Sequence, residues 1–587
     1  MRALVMALLA VLLAACTQAP LVQQPPPAPE PTAEPEPTEL VVGVEDLGAG
    51  FNPHLLAHSS PLTTAVATLV LPSVFRPGAD GTPQLDRTIA TSAEVVAEEP
   101  FTVSYELNLE ASWSTNTPIA AEDFVYLWEQ MRADPGVADA AGYRLITDVR
   151  SRAGGKAVDV VFAEPYPAWQ GLFSDLLPAH LLKDAPGSWV GALLGGLPAS
   201  GGPFRLATVD AGRGEVVLAR NDTYWDTPAV LDTLVLRRLD DAAMATGLAA
   251  GDVDVALPEA DPAARTALGG VTPAPRTQLA PLPTITQLGL RAGDGPLRNP
   301  RARQGLAALL DREAIRTAVA PEALPADAFG LAPSEPGYAP TAPEGAPARP
   351  DPIAAEQLLG SAGWSRDTDG NWMADGQPVS LVIGSATERP EDGRVARLVA
   401  VQLGVAGIDA TAVEVPARDL FVQATVPPAE LAPSTSATAT PATPPAATTT
   451  SAAPTTTNAP SGGIPVDVLV GPRTVGGDPG TELASDYGCA LPTGVVAEPP
   501  TPSMGFCFPV LQLLLESLAT GQGGADEAAR FAVAEQVLWA QLPALPLFQP
   551  VGLVVSSAAA DTATGITPGP LTEGPLAGAA RWSAPPE

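Results

Sequence analysis

Histidine and cysteine are both scarce in this chain of 587 residues, with three of each. His54 and His58 are four residues apart and could share one face of a helix, but no third ligand follows at a matching spacing. Protein zinc sites take three or four ligands at characteristic spacings. The sequence therefore predicts no metal site, and it contains no motif for another cofactor.

Basic residues are also few. Lys and Arg total 31 against 65 acidic residues, which gives a net charge of −34. Nucleic acids are held mainly through Lys and Arg on phosphates, so this balance excludes a nucleic-acid partner. It also opposes binding to anionic lipid surfaces. The acidity is most simply interpreted as a solubility device.

Long apolar runs are missing after the first residues. Arg2 is followed by an unbroken apolar stretch from Ala3 to Ala15, which is too short to span a bilayer and matches a signal-peptide core. No later segment reaches 18 consecutive apolar residues. Residues 1–15 are therefore predicted to be a signal peptide.

Small residues lead directly into Cys16, in the order Leu13-Ala14-Ala15-Cys16, which forms a bacterial lipobox. Residues 16–38 then make up a Pro-rich tether without core-forming residues. We expect Cys16 to be acylated and to hold the protein on the extracytoplasmic face of the cell membrane, because several acyl chains anchor stably. The alternative is an ordinary signal peptide with a chance cysteine.

The two other cysteines are Cys489 and Cys507. Outside the membrane, two remaining thiols usually form a disulfide. We predict that bond here.

Catalytic motifs are lacking as well. The sequence contains no Gly-x-Ser-x-Gly motif, no Walker loop and no histidine near a plausible Ser or Cys nucleophile. The chain is therefore predicted not to be an enzyme.

What is present is an alternation of short strands and amphipathic helices, which predicts a mixed α/β fold of two or three domains. The predicted strands are 39–44, 101–108, 157–162, 379–383 and 409–413, and the predicted helices are 121–131, 301–319, 354–362, 394–403, 510–518 and 526–542. Residues 427–463 consist mostly of Thr, Pro, Ala and Ser, which cannot bury enough area to fold. They are predicted to be a disordered insertion.

Several segments resemble the family 5 extracytoplasmic solute-binding proteins of ABC importers. They include FNPH at 51–54, AEDFVYLWEQM at 121–131, ARNDTYWDTPAVLDTLVLRRL at 219–239 and DPIAAEQLLGSAGW at 351–364. The resemblance implies a two-lobed, type II periplasmic-binding-protein-like α/β fold with a central cleft. We expect a first lobe over 39–275, a second lobe over 276–539 that carries the insertion, and a C-terminal return of 540–587 to the first lobe.

The resemblance also implies where a ligand would bind. The family places the loop of Phe51, Asn52 and His54 near the cleft. An anionic headgroup would need a local arginine cluster, for which we consider Arg291 and Arg298 near the expected hinge, together with Arg301 and Arg303. Peptide-binding members usually hold the ligand amino group with an acid in the cleft, and the sequence does not identify that acid. Trp113, Trp128, Tyr224 and Trp225 are interpreted as packing residues.

The similarity is greater still to a group of mycobacterial lipoproteins in this family, through GAGFNPHLLAHSSP, DAAGYRLITDV and the paired-cysteine segments LASDYGCA and MGFCFP. This implies that the protein binds, or regulates access to, a monoacyl phosphatidylinositol tetramannoside intermediate in phosphatidylinositol mannoside and lipoarabinomannan biosynthesis. The implied partners are that glycolipid or a membrane mannosyltransferase. The alternative is the substrate-binding component of an ABC importer for peptides or another solute, with a permease as partner.

Overall fold

The structure, a computed structural model, describes residues 37–585 except 79, 135, 426–465, 490–502 and 523. The predicted signal peptide, Cys16, almost all of the tether and the insertion 427–463 lie outside the described residues.

The strands are short and mostly apolar on at least one face. In chain order they are β1 Glu39–Val44, β2 Phe75–Pro77, β3 Pro83–Leu85, β4 Ala90–Glu98, β5 Phe101–Leu107, β6 Ile146–Arg152, β7 Ala157–Phe162, β8 Phe204–Asp210, β9 Glu215–Arg220, β10 Thr233–Arg238, β11 Val255–Leu257, β12 Arg276–Pro281, β13 Thr284–Leu290, β14 Leu324–Pro325, β15 Ser365–Arg366, β16 Trp372–Ala374, β17 Gln377–Pro378, β18 Ser380–Ala386, β19 Asp409–Val415, β20 Val468–Thr474, β21 Ala544–Gln549 and β22 Val551–Ser556.

The helices are α1 Pro61–Val70, α2 Ala121–Ala133, α3 Ala141–Leu145, α4 Ala179–Leu182, α5 Ser188–Ala192, α6 Asp241–Ala250, α7 Pro262–Leu268, α8 Pro300–Ala307, α9 Arg312–Val319, α10 Pro352–Ser361, α11 Pro390–Val405, α12 Ala417–Thr425, α13 Pro479–Tyr487, α14 Pro509–Ala519, α15 Glu527–Gln541 and α16 Ala558–Thr564. Many begin at a side chain that accepts a backbone N–H of the first turn, which satisfies a donor that the helix leaves unpaired. These capping residues are Ser60, Asp240, Asp261, Asn299, Asp311, Asp351, Asp478 and Ser557.

A seven-stranded sheet with the order β12-β22-β11-β1-β10-β9-β8 organises the first lobe. Its central strand β1 pairs in parallel with both β10 and β11, and it is almost completely buried. A four-stranded antiparallel sheet, β4-β5-β7-β6, packs with α2 beside it. The larger apolar core of this lobe includes Trp113, Phe124 and Trp189, and a second, separate core includes Val41, Met244 and Leu248.

The second lobe is built on a six-stranded sheet with the order β14-β21-β13-β20-β18-β19. Its core includes Leu288, Phe329, Trp372 and Trp539. The chain passes from the seven-stranded to the six-stranded sheet between β12 and β13, and returns between β21 and β22. We therefore propose lobe boundaries at 282–283 and at 550, which assigns β12 to the first lobe and β21 to the second, unlike the boundaries expected from the sequence.

One predicted helix, 301–319, is two helices in the structure, α8 and α9. Asp311 lies between them, and its carboxylate accepts the N–H of Ala314 at 2.9 Å. An N-cap of this kind starts a new helix, and hydrophobic periodicity does not reveal it. The prediction of one continuous helix was wrong.

A search of the described residues finds no helix with the length and apolar character needed to cross a bilayer.

Candidate functional site

Helix α13 of the second lobe packs against the short helix α3 of the first lobe. The backbone N–H of Ala141 donates to the Ser485 hydroxyl at 3.1 Å, and the hydroxyls of Tyr166 and Thr481 lie 3.1 Å apart. Farther along, the Gln522 side-chain amide donates to Glu164 at 2.8 Å. These contacts bring the two lobes together along one side of the cleft.

Charged side chains meet at the centre of this contact, and we name Asp139, Arg473, Glu482 and Asp486 the cleft cluster. Asp139 comes from the first lobe, and its two carboxylate oxygens lie 3.2 and 3.3 Å from the Thr474 hydroxyl of the second lobe. Arg473 Nη1 lies 3.5 Å from Asp486 Oδ2 and 3.8 Å from Glu482 Oε2. Strand β20 and helix α13 thus place their polar residues opposite Asp139.

The cleft cluster contains three acids and one arginine, and the pKa values of all three acids are raised. Burial raises the pKa of Asp486 to about 7; Arg473 opposes this shift and Asp139 adds to it. Burial also raises the pKa of Glu482, again against Arg473, and the pKa of Asp139. Three carboxyl groups therefore share one arginine here, and burial favours the protonated, uncharged form of each.

Two facing atoms of the cluster lack a hydrogen bond. Arg473 Nη1 and Asp486 Oδ2 are both buried without a hydrogen-bond partner among the described residues. The Asp486 side chain as a whole keeps 24% of its surface exposed. Oδ2 faces Arg473, so a bound molecule would reach the exposed remainder of the Asp486 side chain, which can accept an N–H or O–H.

Arg144, on the same helix as Ala141, is a partly buried cation without a partner. Within the described part of the chain its guanidinium has no hydrogen bond and no ion pair, and burial lowers its pKa with no opposing acid. A desolvated cation of this kind gains from an anionic partner.

The loop predicted to touch a ligand, Phe51 to His54, contacts the chain segment next to Asp139 of the cleft cluster. Phe51 and Asn52 are buried, and the Asn52 carboxamide oxygen accepts the N–H of His54 at 3.1 Å. The carbonyl of His54 accepts the N–H of Ala138 at 2.9 Å. The loop therefore supports the segment that carries Asp139.

The His54 ring stacks on Trp189, with ring centroids 5.9 Å apart, and its Nε2 lies 3.0 Å from the carbonyl oxygen of Asp175. Burial lowers the pKa of His54 to about 4, so the ring is neutral at physiological pH. His54 offers no positive charge to an anionic ligand.

Comparison with known proteins identifies the fold family. Residues 85–455 match the model of the bacterial extracellular solute-binding proteins, family 5. A Mycobacterium tuberculosis protein named "Probable monoacyl phosphatidylinositol tetramannoside-binding protein LpqW" is 35% identical over 527 residues, which are 82% of this chain and 76% of that protein. The chain belongs to the family 5 solute-binding proteins.

A second relative aligns with part of the chain, and a solved structure shares its fold. The oligopeptide-binding protein OppA of Mycobacterium bovis is 30% identical over 37% of this chain and 37% of its own length. The oligopeptide-binding protein AppA of Bacillus subtilis, solved with a nonapeptide, superposes with a TM-score of 0.69 over 93% of this chain and 99% of that chain, at 16% identity. The predicted two-lobed α/β fold is confirmed. As a family 5 solute-binding protein, the chain is an extracytoplasmic binding protein and not an enzyme.

The arginines proposed as a headgroup site are not brought together as a receptor. Arg298 is exposed at a turn, whereas Arg291 is buried and donates from Nε to the carbonyl of Val466 at 2.6 Å. Arg303 is buried and donates to the carbonyls of Leu297, Arg298, Gln541 and Leu542. Arg303 thus closes the C-terminal end of α15, while Arg301 bonds to Gln304 on its own helix.

The aromatic residues pack as expected. The Trp113 indole N–H donates to Asp123 at 3.2 Å, and the Trp128 indole N–H donates to the carbonyl of Tyr143 at 3.2 Å. Trp225 donates to the carbonyl of Thr88 at 2.9 Å. No group of three or more His, Cys, Asp or Glu residues in the described ranges is arranged to hold a metal ion.

Cys489 and Cys507 form a disulfide in the structure, with an S–S distance of 2.07 Å. Cys489 follows the last residue of α13 by two positions, and Cys507 precedes α14 by two. The bond therefore ties the helix that carries Asp486 to the helix packed against it.

Sequence reasoning missed Asp139, Arg473 and Asp486. Asp486 lies within LASDYGCA, one of the two paired-cysteine segments named above, and this was the available signal. Asp139 and Arg473 carried no local signal, because their role depends on segments more than 300 residues apart.

Proposed function

We propose that this protein binds a mannosylated phosphoinositide headgroup, of the monoacyl phosphatidylinositol tetramannoside class, in the cleft between its lobes. The observation that carries this proposal is the cleft cluster, where carboxylates of both lobes converge and the Asp486 carboxylate remains short of donors. Sugar hydroxyls supply such donors without adding negative charge. Arg144 is the group we assign to the phosphate.

The length of the alignment with LpqW supports the proposal of a glycolipid ligand. It aligns over 82% of this chain and thus over both lobes, whereas the OppA relative aligns over 37%. LpqW is named for the glycolipid class proposed here. Binding would regulate how the intermediate passes into lipoarabinomannan synthesis, either by sequestering it or by presenting it to a membrane mannosyltransferase. A lipid at Cys16 would keep the protein at the membrane surface where these glycolipids lie.

The second candidate is a binding component of an ABC importer for peptides. The same cleft cluster favours it, because three carboxyl groups beside a single arginine could also receive the ammonium group of a peptide. In that case a membrane permease replaces the mannosyltransferase as partner.

The test is to identify what the protein holds. The protein is purified from its own host without denaturation, extracted with organic solvent, and both the lipid and the peptide fractions are analysed by mass spectrometry. We expect a mannosylated phosphoinositide that is depleted in an Asp486→Asn variant and retained in the matched exposed control Asp252→Asn. If peptides copurify in place of the glycolipid, and the Asp486→Asn variant no longer holds them, the protein is the binding component of an importer.

A further inference from the structure

A second contact between the lobes lies at the start of α11. Arg389, the residue before this helix, donates from Nη1 to the carbonyl of Ser59 in the first lobe at 2.9 Å. Arg394 Nη2 lies 3.7 Å from Glu259 Oε2, also in the first lobe. Two arginines of the second lobe therefore reach across to the first.

Acidic side chains outnumber these arginines, and we name Glu45, Glu259, Glu391 and Asp392 the acidic seam. In the first lobe, Glu45 Oε2 accepts the backbone N–H of Glu259 at 3.0 Å. In the second lobe, Asp392 is fully buried and accepts from Arg389 Nε at 2.6 Å, and Glu391 lies 3.6 Å from Arg389 Nη2. Carboxylates of both lobes thus face each other and share two cations.

We propose that the acidic seam is a proton-controlled latch, in which closure of the lobes takes up protons on Glu45, Glu259 and Glu391. The closed form is then favoured at mildly acidic pH and loosened at alkaline pH. This regulation concerns lobe closure and does not depend on which ligand occupies the cleft.

The electrostatics of the seam agree with this geometry. Burial is the largest cause that raises the pKa of each of Glu45, Glu259 and Glu391 to about 7. Neighbouring acids add to the three shifts, while the arginines oppose those of Glu259 and Glu391.

The other charged groups around the seam do not cancel this surplus. Asp241 and Asp261 of the first lobe raise the pKa of Glu45 further. His58 is neutral at physiological pH, because burial and the nearby Arg418 lower its pKa to about 4. Glu388 accepts the N–H of Ala417 at 2.9 Å. In the second lobe, Arg397 and Glu414 pair with each other at 2.8 Å.

The sign of the pH dependence follows from linkage. When the lobes separate, water reaches the seam carboxyls and their pKa values fall towards the ordinary value for glutamate. The closed form then binds more protons, so closure is fully favoured below that ordinary value and weakens as pH rises through about 7. Each proton taken up changes the closed-to-open ratio by up to about tenfold per pH unit.

The experiment measures closure directly in the mature chain. Spin labels are placed at Leu109→Cys in the first lobe and Val401→Cys in the second, because these side chains are 79% and 63% exposed. Distance distributions between the labels are recorded by pulsed electron resonance from pH 5.5 to 8.5. We expect the closed-to-open ratio to fall about tenfold or more over this range.

The variants identify the groups responsible. In the labelled protein, Glu259→Gln and Glu391→Gln, alone and together, should keep the closed population high at pH 8.5, since glutamine resembles the protonated acid. The matched control Glu414→Gln alters an acid of the same lobe outside the acidic seam and should titrate like the parent. Thermal melting confirms folding of each variant. A parent ratio that does not change with pH, or glutamine variants that titrate like the parent, would overturn the proposal.

Discussion

Arg473 Nη1 lies 3.5 Å from Asp486 Oδ2, and neither atom has a hydrogen bond among the described residues. The two side chains are drawn together by charge but do not satisfy each other. Asp139 of the other lobe adds negative charge beside them. A bound molecule that donates to Asp486 would supply a hydrogen bond that this carboxylate lacks. A change at Asp486 should therefore affect ligand binding more than it affects the stability of the fold.

Asp486→Asn should weaken ligand binding about tenfold or more while leaving the fold as stable at pH 8, or more stable. The pKa of Asp486 is raised to about 7, so its favourable contribution to folding is present at acidic pH and is lost as pH rises through about 7. Asparagine does not ionise, so the variant does not lose stability at this position as the pH rises. Melting curves at pH 5.5 and 8 check the stability effect, with Asp252→Asn as the exposed control. A variant destabilised equally at both pH values would contradict this account.

Arg303→Ala should lower the free energy of unfolding by about 3 kcal/mol or more, since several buried carbonyl oxygens lose their donor. Burial lowers the pKa of Arg303 to about 10, and its side chain is buried within the second lobe. Its exposed neighbour Arg298 provides the matched control, and Arg298→Ala should change stability by less than about 0.5 kcal/mol. Chemical denaturation measures both. Equal small effects would mean that Arg303 is not a structural residue.

The fold was largely readable from the sequence where periodicity is strong. Strands 39–44 and 157–162 agree with the structure residue by residue, because each carries three valines in six mostly apolar residues. The predicted helix 301–319 failed because the capping side chain of Asp311 interrupts a continuous apolar pattern. The hydrogen bond of Asp311 ends one helix and starts the next, and the spacing of hydrophobic residues does not reveal such a break.

The site was less readable. Family resemblance predicts that the loop at Phe51 lies near the cleft, and in the structure its His54 carbonyl accepts the N–H of Ala138, beside Asp139. Asp139 and Asp486 are two of 65 acidic residues; the paired-cysteine segment marks the position of Asp486, but nothing local indicates that the two acids lie near each other. Their significance arises when β20 and α13 fold opposite α3, which is a long-range relationship.

Thiol labelling of the denatured, unreduced protein should modify neither Cys489 nor Cys507. Both are joined in the structure, and exported proteins keep such bonds. Mass spectrometry after alkylation counts the labels, and the reduced protein, labelled at both positions, is the control. Full labelling without reductant would show that the bond is absent in the native protein.

Cys16→Ala should release the protein from the membrane or leave its signal peptide uncut. The cysteine is predicted to carry the lipid, and the Pro-rich tether that follows has no apolar face to replace it. Cell fractionation and the intact mass of the product test this. A correctly processed variant that stays membrane-bound and is released only by detergent would rule out lipid attachment at Cys16.

Loss of this protein should alter cell-envelope glycolipids and leave peptide uptake intact. The proposed ligand belongs to the pathway between polar phosphatidylinositol mannosides and lipoarabinomannan, so a deletion strain should shift the balance between these two products. Lipid and glycan profiles measure the shift, and growth on peptides as the sole nitrogen source measures uptake.

Complementation with the parent gene should restore the balance, whereas the Asp486→Asn gene should restore it poorly if the cleft cluster binds the headgroup. An unchanged glycolipid profile together with lost growth on peptides would assign the protein to import. A changed profile that the Asp486→Asn gene restores fully would instead place the regulatory contact on the outer surface, where the protein would dock onto a mannosyltransferase without holding the glycolipid.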